Sequence, residues 1–342
     1  MPMMNAPEQE TPLQLLNDSL FSFIISYLSI TMHRLNDRCI FTRLRVCLSM
    51  INIRPLHSPQ KEKHTMSRST QPQAGTAKVH GTQLYYETAG SGHPLVLIHG
   101  GYMDRRMWND QFYAFAKHYW VIRYDIRGFG KSELPPVAYA DRQDLYDLLN
   151  YLGVEKTYLL GLSLGGVIAI DFTLEHPDMV DALILVGTPV SGFPVELLYT
   201  EEQLEQQRSR GVAFEKAIQE RNRPAMVDAL MQDPTLVPSP KYPAARERVR
   251  TNLSEYSFAW VLDPAPRQNL EPPAYERLTE IQVPTLIAMG AEDDSRLFKD
   301  ADKLERDIVR ASRATIAETH HMPNMEKPQE FNALILDFLG KL

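Results

Sequence analysis

A chain of 342 residues with 44% hydrophobic and 23% charged side chains can build a large buried core, which excludes collagen-like, low-complexity and wholly disordered chains. Its 36 basic residues against 43 acidic ones, a formal charge of −7, leave no footprint for nucleic acid. Only Cys39 and Cys47 are cysteines, so a disulfide scaffold, a cysteine nucleophile and a cysteine-ligated zinc are excluded beyond them.

Residues 1–75 read as a poorly structured N-terminal extension and linker. The apolar run at 19–32 (SLFSFIISYLSITM) would span only ~21 Å as a helix, short of a hydrocarbon core of ~30 Å. Acidic Glu8, Glu10 and Asp18 precede it, where a secretory signal carries Lys or Arg. Arginines follow at positions 34, 38, 43, 45 and 54, so peripheral membrane association through residues 19–50 stands as the alternative to a dispensable extension of a cytoplasmic protein. Residues 55–75 are polar with Pro and Ser and no hydrophobic period, as in a disordered linker. Met66, opening MSRSTQPQ just before the first strand signal, reads as the natural start.

From residue 76 the pattern becomes regular. Residues 78–87 read as two short strands joined by a turn at His80-Gly81. A buried strand at 95–99 (LVLIH) ends at Gly100-Gly101, and a helix at 107–118 leads to a strand at 120–125. Leu145, Leu148, Leu149 and Leu152 place a helix over 141–152. A strand at 157–162 runs into Ser163 and a helix that ends before Pro177. Strands at 182–186 and 285–289 follow, then a helix at 299–309, a strand at 314–317 and a helix at 328–339. Apolar strands separated by helices predict an α/β fold with a mostly parallel central sheet flanked by helices. Between 189 and 282 the alternation stops, leaving charged helical runs and prolines. That stretch reads as an inserted helical cap, and 76–188 plus 283–342 as the core.

The sharpest local signal is Gly161-Leu162-Ser163-Leu164-Gly165, a G-x-S-x-G elbow between a predicted strand and a predicted helix. Such a turn lifts the serine hydroxyl above the sheet edge, and its glycines remove Cβ atoms that would collide there. A serine nucleophile needs a base and an orienting acid, in the chain order Ser, acid, His. The acids just past the strand at 285–289 are Glu292, Asp293 and Asp294. Asp293 is preferred, then Asp294, then Glu292. The only histidines after both serine and acid are His320 and His321, behind the last strand. Two N–H groups must hold the oxyanion. Leu164, after the nucleophile, supplies one, and Gly101, or next Tyr102, supplies the other. His99 precedes the serine and reads as a brace for its loop.

Several decoys fail. Gly130-Lys131-Ser132 resembles the end of a phosphate-binding loop, but Asp125 stands where its leading glycine belongs. No G-x-G-x-x-G follows a strand and no H-E-x-x-H occurs, so nucleotide and zinc drop out. Asn252-Leu253-Ser254 fits a glycosylation sequon but falls in a predicted cap helix.

Taken together, residues 76–342 resemble the α/β-hydrolase superfamily. The motifs recur in order: HGG at 99–101, D-x-R-G-x-G-x-S at 125–132, GLSLGG at 161–166, G-x-x-D at 290–293 and HMPNMEKP at 321–328. The resemblance is strongest to its lidded, cofactor-free esterases, enol-lactonases and C–C bond hydrolases. It implies Ser163, Asp293 and His321 as nucleophile, acid and base, with no metal and no cofactor. His320 stands where the family has a small residue. Epoxide hydrolases and haloalkane dehalogenases share the fold but attack with an aspartate at the elbow, which Ser163 disfavours. Arg127 of the D-x-R-G motif is expected to brace loops. Tyr102, Phe193 and Trp260 are the expected substrate-binding residues, with Phe258 another candidate for an apolar roof over a small-molecule substrate. A cofactor-free perhydrolase or haloperoxidase-like enzyme, or a slow-turnover ligand receptor, are the alternatives on the same fold.

Overall fold

A computed structural model describes residues 72–79, 81–233 and 236–342. The expectations for residues 1–71, including the membrane-surface reading of 19–50 and the start at Met66, lie outside the described residues. Eight strands form one sheet: β1 (Gln73–Val79), β2 (Thr82–Ala89), β3 (Pro94–Ile98), β4 (Trp120–Tyr124), β5 (Thr157–Leu162), β6 (Val180–Val186), β7 (Thr285–Gly290) and β8 (Ala311–Ile316). Their spatial order is β1-β2-β4-β3-β5-β6-β7-β8. β1 and β2 pair antiparallel with each other, β2 pairs antiparallel with β4, and every other pairing is parallel.

Residue types follow from position in this sheet. β3 (PLVLI) and β4 (WVIRY) are buried along their whole length because helices cover both faces. β2 alternates buried with half-buried residues, as expected for an antiparallel strand near the edge with one face toward the core. β1 begins at Gln73, inside the stretch read from sequence as linker. Small and polar residues (QAGT) open it, and their backbone pairs with β2 although their side chains give no strand period.

Eight longer helices accompany the sheet: α1 (Asn109–Phe115), α2 (Asp141–Tyr151), α3 (Leu164–Glu175), α4 (Glu201–Gln219), α5 (Arg223–Met231), α6 (Pro243–Glu255), α7 (Ser295–Asp307) and α8 (Pro328–Leu339). α3 is apolar nearly all round and buried from Gly165 to Leu174. Several helices start on recognisable signals. Thr200 and Gln203 form a capping box on α4, and Asn222 caps α5. The Asp294 carboxylate caps α7 by accepting from the Arg296 N–H, and Pro328 opens α8. α7 starts at Ser295, four residues before the sequence reading placed it, because the acids after β7 serve as its cap.

Between β6 and β7 the described residues form helices and turns and contribute no strand to the sheet. α5 packs on both α4 and α6 there, around Phe214, Met226, Val249 and Leu253. Among the described residues, no helix is long and apolar enough to cross a membrane.

The chain reverses its direction of travel across the sheet at β3, which pairs with β4 on one side and β5 on the other. Loops leaving the C-terminal ends of β3 and β5 diverge there and open a crevice, the favoured ligand position in doubly wound sheets.

Candidate active site

Ser163 sits at the end of β5 with φ +53° and ψ −114°, a conformation that costs a non-glycine residue about 1–3 kcal/mol. Its N–H donates to the Val186 carbonyl at 2.8 Å, and its own carbonyl accepts from the N–H groups of Gly166 and Val167. The flanking glycines permit this turn. A Cβ on Gly161 would lie 2.2 Å from the Gly165 carbonyl oxygen, and one on Gly165 would lie 2.2 Å from that of Ile98. The end of β3, the end of β5 and the elbow therefore close on each other in a way no side chain allows.

The two histidines point to different partners. His321, 4% exposed, places Nδ1 3.2 Å from each carboxylate oxygen of Asp293, whose side chain is 1% exposed. His320 instead places Nε2 3.1 Å from Glu292 Oε2, at the surface. Glu292 lies below the ordinary carboxylate range because Lys241, and then His320, stabilise its charge. Asp294 is taken up by capping α7. Of the three acids, Asp293 alone meets the inward histidine.

The histidine loop is braced on several sides. Glu326 accepts the N–H of His320 at 2.7 Å and that of Ser239 at 2.5 Å, tying the loop to the segment before α6. Asn324 donates to the Met107 carbonyl at 3.1 Å, and Gln111 of α1 donates to the Asn324 carbonyl. These contacts account for the HMPNMEKP motif as a scaffold for one side chain.

His99 and the D-x-R-G motif brace the opposite wall. His99 is fully buried, with Nε2 accepting the Ile126 N–H at 2.9 Å and Nδ1 placed to donate to the Gly100 carbonyl at 2.8 Å. Burial lowers its pKa to about 4, so it stays neutral and its hydrogen bonds persist. Asp125 binds the Arg105 guanidinium at 2.8 Å and the N–H groups of Arg105 and Lys131. Burial nevertheless lifts its pKa to about 6. Arg127 makes a two-pronged bond to Asp144 at 2.7 and 2.6 Å and lies over the Tyr139 ring, a bracing role as expected.

Ser163, Leu164, Gly101, Tyr102 and His321 all line one cavity at the C-terminal end of the sheet, and Trp260 lines it from the helical segment. Leu164 opens α3, so its N–H is among the first four that lack an intrahelical acceptor. Tyr102 makes edge-on contacts with Phe214, Tyr256 and Trp260 at 5.7–6.3 Å, giving the cavity an aromatic flank. Trp260 Nε1 donates to the Tyr139 hydroxyl at 3.3 Å, which fixes its ring.

Phe193 does not line this cavity, contrary to the sequence expectation. It packs against Tyr275 at 4.9 Å, because the start of the β6–β7 segment runs beside its end there, with Gly192 against Pro273. Phe258 is fully buried against Tyr256 and Phe214, serving the packing of the helical segment. Tyr199, Arg210, Phe214, Arg267 and Arg296 also line the cavity and went unnoticed in the sequence. Arg296 had a usable signal, standing three residues after the preferred acid. Phe214 and Tyr199 carried none, because their chain segment has no strand to anchor a register.

The family model for the alpha/beta hydrolase family matches residues 95–334, and the chain belongs to that family. It is 25% identical over 281 residues to 2-hydroxy-6-oxo-6-phenylhexa-2,4-dienoate hydrolase of Comamonas testosteroni, covering 75% of this chain and 91% of that one. A soluble epoxide hydrolase of Corynebacterium sp. is 35% identical over 113 residues, which span 32% of this chain and only 40% of that enzyme. Among solved structures, a thermophilic esterase from Thermogutta terrifontis superimposes with a TM-score of 0.64 at 26% identity, over 79% of this chain and 98% of that one. The chain is accordingly a hydrolase of this family.

Proposed function

We propose that the chain is a serine hydrolase that cleaves a carboxylic ester, lactone or related carbonyl substrate through an acyl-enzyme on Ser163, with neither metal nor cofactor. His321 takes the Ser163 proton as Oγ attacks the carbonyl, forming a tetrahedral intermediate. The N–H groups of Leu164 and Gly101 hold its oxyanion. Collapse of the intermediate expels the alcohol or enolate, which takes the proton from His321. Water, activated by the same histidine, then releases the acid. Asp293 fixes the histidine tautomer and offsets its transient charge.

One observation carries this reading: the strained Ser163 and the Asp293-bonded His321 line a single cavity. The helices of residues 189–282 act as a cap, and Trp260 from it, with Tyr102 from the loop after β3, chooses the small-molecule substrate. The names of the relatives extend the candidate substrates from esters to vinylogous diketones. The test is a panel of p-nitrophenyl esters, lactones and a 2-hydroxy-6-oxodienoate, assayed with the wild type and Ser163→Ala. Loss of at least about 10³-fold in kcat, with unchanged circular dichroism, is expected of a missing nucleophile. Full activity in the variant refutes the proposal.

A further inference from the structure

The cavity wall holds a cation that the proposed reaction does not use. Arg296 lies in the first turn of α7, directly after the acid loop, and lines the same cavity as Ser163 and His321. Its Nε is buried with no hydrogen-bond partner, and among the described residues no carboxylate comes within ion-pair distance of its guanidinium. The residue is half-buried and nearby Tyr199 and aspartates favour its charge, but the buried Nε–H remains a donor without an acceptor, which costs free energy until a ligand supplies one.

The neighbouring carboxyls are each committed elsewhere. Asp293 is bonded to His321, and Asp294 accepts the backbone N–H of Arg296. Asp300, one turn further along α7, accepts the Val190 N–H at 2.8 Å, and burial raises its acid to about 7, which weakens it as a counter-ion. Beside this cation stands Tyr199, which also lines the cavity. It is 7% exposed, and its hydroxyl is buried without a partner. Burial lifts that phenol to about 12, so it remains a neutral donor.

A planar guanidinium with a single hydroxyl donor next to it matches the acceptor pattern of a carboxylate. From this geometry, and resting on the hydrolase reading of Ser163, we infer that Arg296 and Tyr199 form a carboxylate subsite. The favoured substrates are esters or lactones carrying a free carboxylate away from the carbonyl that Ser163 attacks.

The test compares mono-p-nitrophenyl adipate with the neutral p-nitrophenyl hexanoate of equal chain length, using the full chain. Wild type is expected to favour the anionic ester in kcat/KM. Arg296→Gln should reduce that anionic-to-neutral preference at least tenfold, mainly through KM, and Tyr199→Phe should reduce it severalfold. A variant that lowers both esters by the same factor overturns the assignment.

A second measurement needs no variant to fold. Against hexanoate ester hydrolysis by wild type, adipate should inhibit competitively at concentrations at least tenfold below those of neutral adipamide. Equal inhibition by the two overturns the subsite. Should no ester be turned over, the hydrolase reading fails by itself. Calorimetric binding of adipate, present in wild type and lost in Arg296→Gln, then decides the subsite separately, and no binding to wild type overturns it.

Discussion

Gly187, the residue after β6, offers a sharp test of how tightly the acid–histidine pair is held. Its φ is +49°, and a Cβ there would lie 2.9 Å from both Cε1 and Nδ1 of His321 and 3.0 Å from Asp293 Oδ2. Ordinary contacts between carbon atoms fall near ~3.5–4.0 Å. Gly187→Ala must therefore push the imidazole, the carboxylate or the β6 loop away by roughly 0.6–1 Å. Misplacement of a catalytic group on that scale costs on the order of 10²-fold in rate. The positive φ adds about 1–2 kcal/mol of strain, which lowers the melting temperature by a few degrees.

The assay is kcat/KM on a p-nitrophenyl ester beside a thermal melt, with Gly153→Ala as the control. Gly153 has φ +68°, but a Cβ there would meet nothing within 4 Å, so the control carries the strain without the collision. We expect both variants to lose stability and only Gly187→Ala to lose ~10–100-fold in activity. Equal activity in the two would refute the reasoning.

Three further variants separate the paired histidines and probe a buried acid. His321→Ala should lose about 10²–10⁴-fold in kcat, whereas His320→Ala, whose ring meets Glu292 at the surface, should stay within severalfold of wild type in the same ester assay. Asp300 has a folded pKa raised from 3.8 to about 7, mainly by burial and despite Arg296. A raised acid favours the fold below its unfolded pKa and loses that contribution as pH climbs through the folded value. Asp300→Asn, which keeps the acceptor for the Val190 N–H, should thus gain stability relative to wild type by about 2–3 kcal/mol between pH 5 and pH 8. Urea unfolding across that range measures it, and a difference that does not change with pH refutes it.

How much of this was legible in the sequence depends on what each residue is doing. β5 and α8 fall on the residues that their apolar patterns and flanking signals indicate, Thr157–Leu162 and Pro328–Leu339. β1 extends to Gln73 because backbone pairing, not side-chain period, carries its first half. The helix expected at 107–118 divides into a tight turn at Arg105–Trp108 and α1, since Asp104 caps the chain earlier through the N–H of Arg106.

At the site, the pairing of His321 with Asp293 and the shared cavity of His321 and Ser163 follow from chain order and strand ends, which constrain where these residues fall. The partnering of His320 with Glu292 required coordinates, because adjacent loop residues differ only in where they point. Phe193 misled for a similar reason. Nothing in an isolated phenylalanine after β6 distinguishes packing on Tyr275 from a place in the cavity wall. The glycine at position 187, directly after β6, has a physical reason in the structure. The space any side chain there would need is filled by His321 and Asp293.

The most direct measurement of the central claim is covalent labelling of the full chain with a fluorophosphonate probe, followed by peptide mapping. A serine activated by a neighbouring base should be phosphonylated, and the label should map to the peptide containing Ser163 and vanish in Ser163→Ala and His321→Ala. A well-folded wild type that takes up no label, or takes it up at a different residue, would contradict the assignment of Ser163 as the nucleophile.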